Sequence, residues 1–144
     1  VSGESIVGQN RTGAVLYAKD LSSVQAFYET VTGLAVEHVE RGHVILGTAS
    51  FQLVVLRIPE RVASSIQIEN PPRRRTETPI KLVFFVPSIA EARAAAAMHG
   101  GEVNPAEREW KFQGCRVCDG QDPEGNVVQF REAPTPRSTP VLPV

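Results

Sequence analysis

Cysteine is scarce in this chain: two in 144 residues, Cys115 and Cys118. They form a CxxC, the spacing of half a zinc site or of a redox pair. The surrounding FQGCRVCDG, however, reads as a strand. Strand residues three apart sit roughly 10 Å apart at Cα and point to opposite faces, while a disulfide needs about 4.4–6.8 Å. No second CxxC completes a zinc set, so two reduced thiols are the better reading. Net charge is also missing. Fifteen Lys+Arg against 16 Asp+Glu leave −1, with no bulk field to draw nucleic acid or anionic lipid. No apolar run is long enough to span a bilayer, and the first residues lack the basic, apolar and small-residue order of a signal peptide. The first residue, Val1, suggests a processed or trimmed end, and the cytoplasm is the expected compartment.

What is present is a duplication. Gly13 through VLYAKD, a helical stretch and Gly33-Leu34-Ala35-Val36 recur as Lys81 through LVFFVPS, another helical stretch and Gly101-Glu102-Val103. A shift of 68 residues carries Val15 onto Val83, Tyr17 onto Phe85, Asp20 onto Ser88 and Gly33 onto Gly101. Paired copies of a strand–helix–strands module imply a shared cleft. The size suits one structural domain able to bury a core.

In the first module, 13–58, Ala14–Lys19 reads as a strand and Asp20 as a helix N-cap. Leu21, Val24, Phe27, Tyr28 and Val31 follow at helical spacing, and Gly33 ends the helix. Strands Ala35–Val39, His43–Gly47 and Phe51–Ile58 come next. Residues 59–79 form a linker whose Arg73-Arg74-Arg75 run fits a solvated segment better than a phosphate grip. The second module, 80–132, opens with the strand Ile80–Val86 and a Ser88/Glu91 capping box. Its alanine-rich helix runs to His99, followed by strands near Gly101–Val103, Glu109–Phe112, Cys115–Asp119 and Val127–Glu132. Asp122-Pro123-Glu124-Gly125 fits a type I turn. Residues 1–12 and the proline-rich 133–144 read as tails.

LYAKDLSSVQAFYETVTGL, IKLVFFVPSIAEARAAAAMHGGEV and DPEGNVVQF, in this order and duplicated, resemble the vicinal oxygen chelate superfamily. That superfamily includes glyoxalase I, the extradiol dioxygenases and the bleomycin-resistance proteins. The resemblance covers about Gly13–Glu132. It implies an α+β fold, two βαβββ modules pairing into an open, incomplete β-barrel with helices outside. It also places the enzymes' metal-ligand positions on Gly13, Gln52, Lys81 and Gln129. One of these lacks a side chain, one is a cation and two are amides, so no metal and no cofactor are expected.

Strand alternation then lines the cleft with Tyr17, Gln52, Val54, Lys81, Phe85, Gln129 and Arg131, joined by Trp110 or Phe112. The opposite faces, including Leu53, Val55, Phe84 and Phe130, read as core. Such a cleft suits an aromatic or apolar organic ligand with an anionic or carbonyl end. Plainer roles stay open: Tyr17 and Phe85 as barrel filler, the glutamines bonded to each other, Lys81 reaching to solvent. His38 and His43, beside Glu37 and Glu40, have the look of a surface metal patch, but exposed hairpin positions explain them more simply. His99 suits a last helical turn.

The favoured reading is a metal-independent small-molecule-binding protein that captures its ligand without turnover. The alternative is a lyase, isomerase or dioxygenase of the same superfamily with an altered site, using Lys81 as base or Schiff-base former. A third is a scaffold that contacts proteins through Arg73–Arg75 or the proline-rich tail. Relatives of this kind often pair, so the resemblance makes a homodimer an expectation that the sequence itself does not show.

Overall fold

The computed structural model describes residues 10–134. Most of both expected tails, 1–9 and 135–144, therefore lies outside the described residues. Within them the chain order is β1 (Thr12–Ala18), α1 (Leu21–Thr32), β2 (Ala35–Val39), β3 (His43–Gly47) and β4 (Phe51–Arg57). It continues with α2 (Glu60–Ala63), β5 (Leu82–Phe85), α3 (Ile89–Met98), β6 (Glu102–Val103), β7 (Trp110–Phe112), β8 (Cys115–Gln121) and β9 (Val127–Glu132). The architecture is α+β, with two sheets and no closed barrel. One sheet has the order β1-β4-β3-β2. The other runs β5-β9-β8-β6, with β7 also paired to β8. β6 and β7 are two pieces of one edge position, parted by a 3-10 turn at Ala106–Arg108.

Each helix starts where its sequence supplies an acceptor. Asp20 receives the Ser23 N–H at 3.2 Å, and Ser88 Oγ receives the Glu91 N–H at 3.1 Å. Gly33, at φ 78°, closes α1 in a left-handed conformation open to glycine at little cost. The apolar stripe Leu21, Val24, Phe27, Tyr28 and Val31 is buried, against Leu53 and Val55 of the first sheet and Phe84, Val128 and Phe130 of the second. One core thus serves both modules, and α1 and α3 pack together over it.

A buried polar knot ties the modules. The β8–β9 turn places Asp122, fully buried, where its Oδ2 accepts from Tyr28 Oη and from Asn126 Nδ2, both at 2.8 Å. Its Oδ1 accepts the N–H groups of Glu124 and Asn126 at 2.9 and 3.0 Å. Burial raises the Asp122 carboxyl above its ordinary range, against these hydrogen bonds, and pushes the Tyr28 hydroxyl well above a normal tyrosine. The Glu124 carboxylate, in turn, accepts the N–H groups of Lys19 and Asp20 at 2.9 and 2.7 Å. A turn of the second module therefore satisfies donors at the start of α1 in the first.

Two expectations need correcting. The first strand begins at Thr12 rather than Ala14, and Arg11 belongs to the fold, because its guanidinium binds Glu37 and the Thr48 carbonyl. The segment 59–79 is not a solvated run throughout: it holds α2, and its arginines clasp the β8–β9 turn. Arg74 Nε donates to Gln121 Oε1 at 2.7 Å and Arg75 Nε to the Glu124 carbonyl at 3.1 Å. The Arg75 N–H donates to the Gly125 carbonyl at 2.8 Å. The turn leaves carbonyls outside the sheet ladders, and the linker supplies their donors.

Candidate functional site

The face of each sheet turned away from the helices carries the candidate site. Alternation sorts the side chains as the sequence suggests: Ala18, Leu53, Val55, Phe84 and Phe130 are buried under the helices. Tyr17 and Phe85 stand on the opposite side, 62% and 59% exposed, with Val15, Val83, Trp110 and Phe112 also open. These aromatics do not fill a barrel. A cavity of about 380 Å³ lies where Ala14, Val15 and Leu16 of β1 approach Ile80, Leu82, Val127 and Val128.

On the second sheet, the polar residues of the open face form one chain of contacts. Lys81 Nζ pairs with Asp119 Oδ2 at 2.8 Å and lies 5.9 Å from the Trp110 ring centre. Gln129 Nε2 donates to Asp119 Oδ1 at 3.3 Å, and Gln129 Oε1 accepts from Arg131 Nε at 2.9 Å. Arg131 also donates to Gln113 Oε1 at 3.2 Å, with its guanidinium 5.1 Å from the Phe112 ring centre. Gln129 is thus used at both ends, and its work is to orient Arg131. Lys81 has its charge balanced by Asp119, whereas Arg131 has no carboxylate partner among the described residues.

On the first sheet, Gln52 Oε1 accepts from Arg11 at 3.2 Å, and Arg11 holds Glu37 by two contacts of 2.8 Å. The hydrogen bond from Arg11 holds the Glu37 carboxyl below its usual range. Arg11 Nε is buried and without a partner among the described residues. Tyr17, Gln52 and Val54 share this face through the β1–β4 register. Among the described residues, no hydrogen bond or ion pair joins them to Lys81, Gln129 or Arg131. The two glutamines do not bond each other.

Sequence reasoning missed Asp119, Gln113 and Arg11. Asp119 had a usable signal: it is the cross-strand partner of Gln129 in the β8–β9 hairpin, and partners share a face. Gln113 sits in the β7–β8 turn at φ 51°, where nothing in the sequence aims its side chain. Arg11 lay in a stretch without periodicity. Cys115 and Cys118 are both free thiols, Cys118 buried, as the strand geometry requires.

A glyoxalase-like domain model matches residues 13–130. The chain belongs to the glyoxalase-like family. It falls with that family in the vicinal oxygen chelate superfamily. A search of curated proteins finds no matching sequence. Among solved structures, the fosfomycin resistance protein FosX from Listeria monocytogenes is similar at 15% identity and a TM-score of 0.59, over 92% of this chain and 96% of that one. The bleomycin resistance determinant encoded on the transposon Tn5 is 15% identical at a TM-score of 0.56, over 88% and 100%. Lactoylglutathione lyase from Agrobacterium tumefaciens is 22% identical at 0.54, over 88% and 95%. At these identities the likeness is one of fold.

The metal that such a fold implies finds a poor donor set in this glyoxalase-like chain. A Cβ on Gly13 would stand 2.3 Å from the Gln52 carbonyl oxygen, so any ligand side chain there requires the backbone to move. Gln52 is engaged by Arg11, Lys81 is an ammonium paired to Asp119, and Gln129 is bonded at both ends. The Asp119 carboxylate is already occupied by Lys81 and Gln129, and the Glu37 carboxylate near Gln52 is held by Arg11. The four positions do not match the donor chemistry of a divalent ion.

Proposed function

We propose that this glyoxalase-like chain is a metal-independent small-molecule-binding protein. It captures an aromatic or apolar organic ligand bearing an anionic or carbonyl group. One observation carries this reading: the family's four ligand positions are taken up by Gly13 and by three side chains already bonded to protein. The open faces meanwhile present Tyr17 on the first sheet and Phe85, Trp110 and Phe112 on the second, with Phe85 and Phe112 next to Arg131. Aromatic rings supply flat apolar area at low entropic cost, and Arg131 supplies a fork for an oxyanion. Two structural neighbours are named for resistance to fosfomycin and to bleomycin, both small organic molecules. Their names fit a small organic ligand, and the name of the third, lactoylglutathione lyase, fits the enzyme alternative.

The test is a thermal-shift and calorimetric screen of planar aromatic carboxylates and phosphonates, run with a chelator throughout. Saturable binding that survives the chelator and falls on Arg131→Ala supports the reading. Binding that appears only on adding a divalent metal refutes it. The enzyme alternative rests on Lys81, whose side chain is 40% exposed and salt-bridged instead of enclosed by apolar groups. Borohydride trapping of carbonyl compounds that disappears in Lys81→Ala would restore it.

A homodimer fits the same surface. Val15 and Tyr17 on one sheet, with Val83, Phe85, Trp110 and Phe112 on the other, are more exposed apolar side chains than solvated sheet faces usually carry. A second copy that covers them would enclose the ligand. Light scattering after gel filtration decides between monomer and dimer. Among the described residues no helix is long and apolar enough to cross a membrane, and two free thiols suit a cytoplasmic setting.

A further inference from the structure

The β2–β3 hairpin brings together three metal-binding side chains that the cleft reading does not use. His38, Glu40 and His43 each place one ligand atom within 4.8 Å of the others, the one such group among the described residues. His38 Nε2 lies 2.8 Å from Glu40 Oε1, and His43 Nδ1 lies 3.7 Å from Glu40 Oε2. The two imidazoles are 5.5 Å apart, centre to centre.

A bulge explains how they meet. The β2–β3 register runs Ala35 with Gly47 and Val36 with Leu46, then shifts so that His38 faces Ile45 and Val39 faces Val44. Without the shift, His38 would stand opposite Val44, which is buried in the core. The extra residue instead sends Glu37 to Arg11 and turns His38 onto the open face beside Ile45, which pairs with Val54. Glu40 then falls opposite His43, its N–H bonded to the His43 carbonyl at 2.8 Å. Bulges commonly re-aim side chains in this way. His43 in turn pairs across to Leu56, the partner of Tyr17. The cluster therefore shares a face with Tyr17, two strand spacings or roughly 10 Å away.

We infer that His38 Nε2, Glu40 and His43 Nδ1 bind a divalent transition-metal ion of the zinc class. Two imidazoles and a carboxylate are a borderline-soft N₂O set of the kind zinc takes, leaving a fourth position to water or a small ligand. Tetrahedral zinc with ligand bonds of about 2.0–2.2 Å brings its donors to roughly 3.4 Å of one another. The 2.8 Å contact lies inside that spacing and the 3.7 Å contact just beyond it, so seating an ion takes only a small side-chain adjustment. Glu40, 54% exposed at its side chain, is free to supply that by rotation. This site is independent of the proposed cleft ligand and stands apart from Gly13, Gln52, Lys81 and Gln129.

The experiment titrates untagged protein with zinc chloride against a chromophoric chelator, beside ¹⁵N imidazole spectra of the three histidines. One zinc per chain is expected, with loss of more than about tenfold in affinity on His38→Ala or His43→Ala and none on His99→Ala. In the unmutated protein one equivalent should shift His38 Nε2 and His43 Nδ1 while leaving His99 in place. No saturable binding, equal affinity in the His38→Ala/His43→Ala double variant, or equal shifts at all three histidines would each overturn the inference. Aromatic-ligand binding measured in chelator and in the double variant keeps the two proposals separable, since either can fail while the other holds.

Discussion

Removing the Tyr28 hydroxyl should loosen the joint between the modules by a calculable amount. Tyr28→Phe keeps the buried ring, its edge-on packing against Phe27 and its contact with Phe84, and deletes one of four hydrogen bonds to the Asp122 carboxylate. A bond to a charged group contributes about 1.5–3 kcal/mol. For a chain of this size each kcal/mol is roughly 3–5 °C in Tm, so a fall of about 5–15 °C is expected at neutral pH. The pH dependence supplies a second readout. Burial, reinforced by Asp122, raises the Tyr28 pKa well above the ordinary tyrosine value of about 10, so the folded state keeps a proton that the unfolded state loses. The group's contribution is complete below pH 10 and is lost as pH rises further. Between about pH 10 and 11 the unmutated protein should lose about 1 kcal/mol more than Tyr28→Phe. Other groups cancel in that difference. Urea unfolding of both proteins across this range is the assay. A variant within about 0.5 kcal/mol of the parent at neutral pH, with the same alkaline slope, would refute the reasoning.

Three further outcomes are expected. Gly13→Ala should destabilise by about 1–3 kcal/mol in denaturant melts, because its methyl meets the Gln52 carbonyl in a sheet that must shift to admit it. Asp20→Ala should cost about 1 kcal/mol by the loss of the α1 cap, read by the same melts. Arg131→Gln should leave stability within about 0.5 kcal/mol but weaken an aromatic carboxylate by roughly 10–100-fold in calorimetry, since a charge-assisted bond is lost.

The fold was legible because its signals were local and repeated. Caps at Asp20 and Ser88, Gly33, and the DPEGN turn mark boundaries that the structure keeps within two residues at β1, α1 and β9. Alternation divided Tyr17 and Phe85 from Leu53 and Phe84 correctly, because one face of each sheet must pack on helices. The site was less legible, for reasons of side-chain reach. From the sequence, Lys81 and Gln129 face a ligand, or else solvent and a second glutamine, but Asp119 on β8 engages both. Strand period identifies the face a residue shares, not the partner it chooses. The bulge after Val36 reverses the period altogether, and a strict alternation sends His38 to the wrong face. Arg74 and Arg75 looked like a solvated run because the carbonyls they serve lie about fifty positions further along.

Ligand capture without a metal in the cleft is tested most directly by one titration: an aromatic carboxylate that raises Tm, added to protein stripped of metal and kept in chelator. Unchanged affinity on restoring zinc, manganese or iron is the predicted result. Binding that is absent in chelator and returns with the ion, in a protein lacking His38 and His43, would contradict the account.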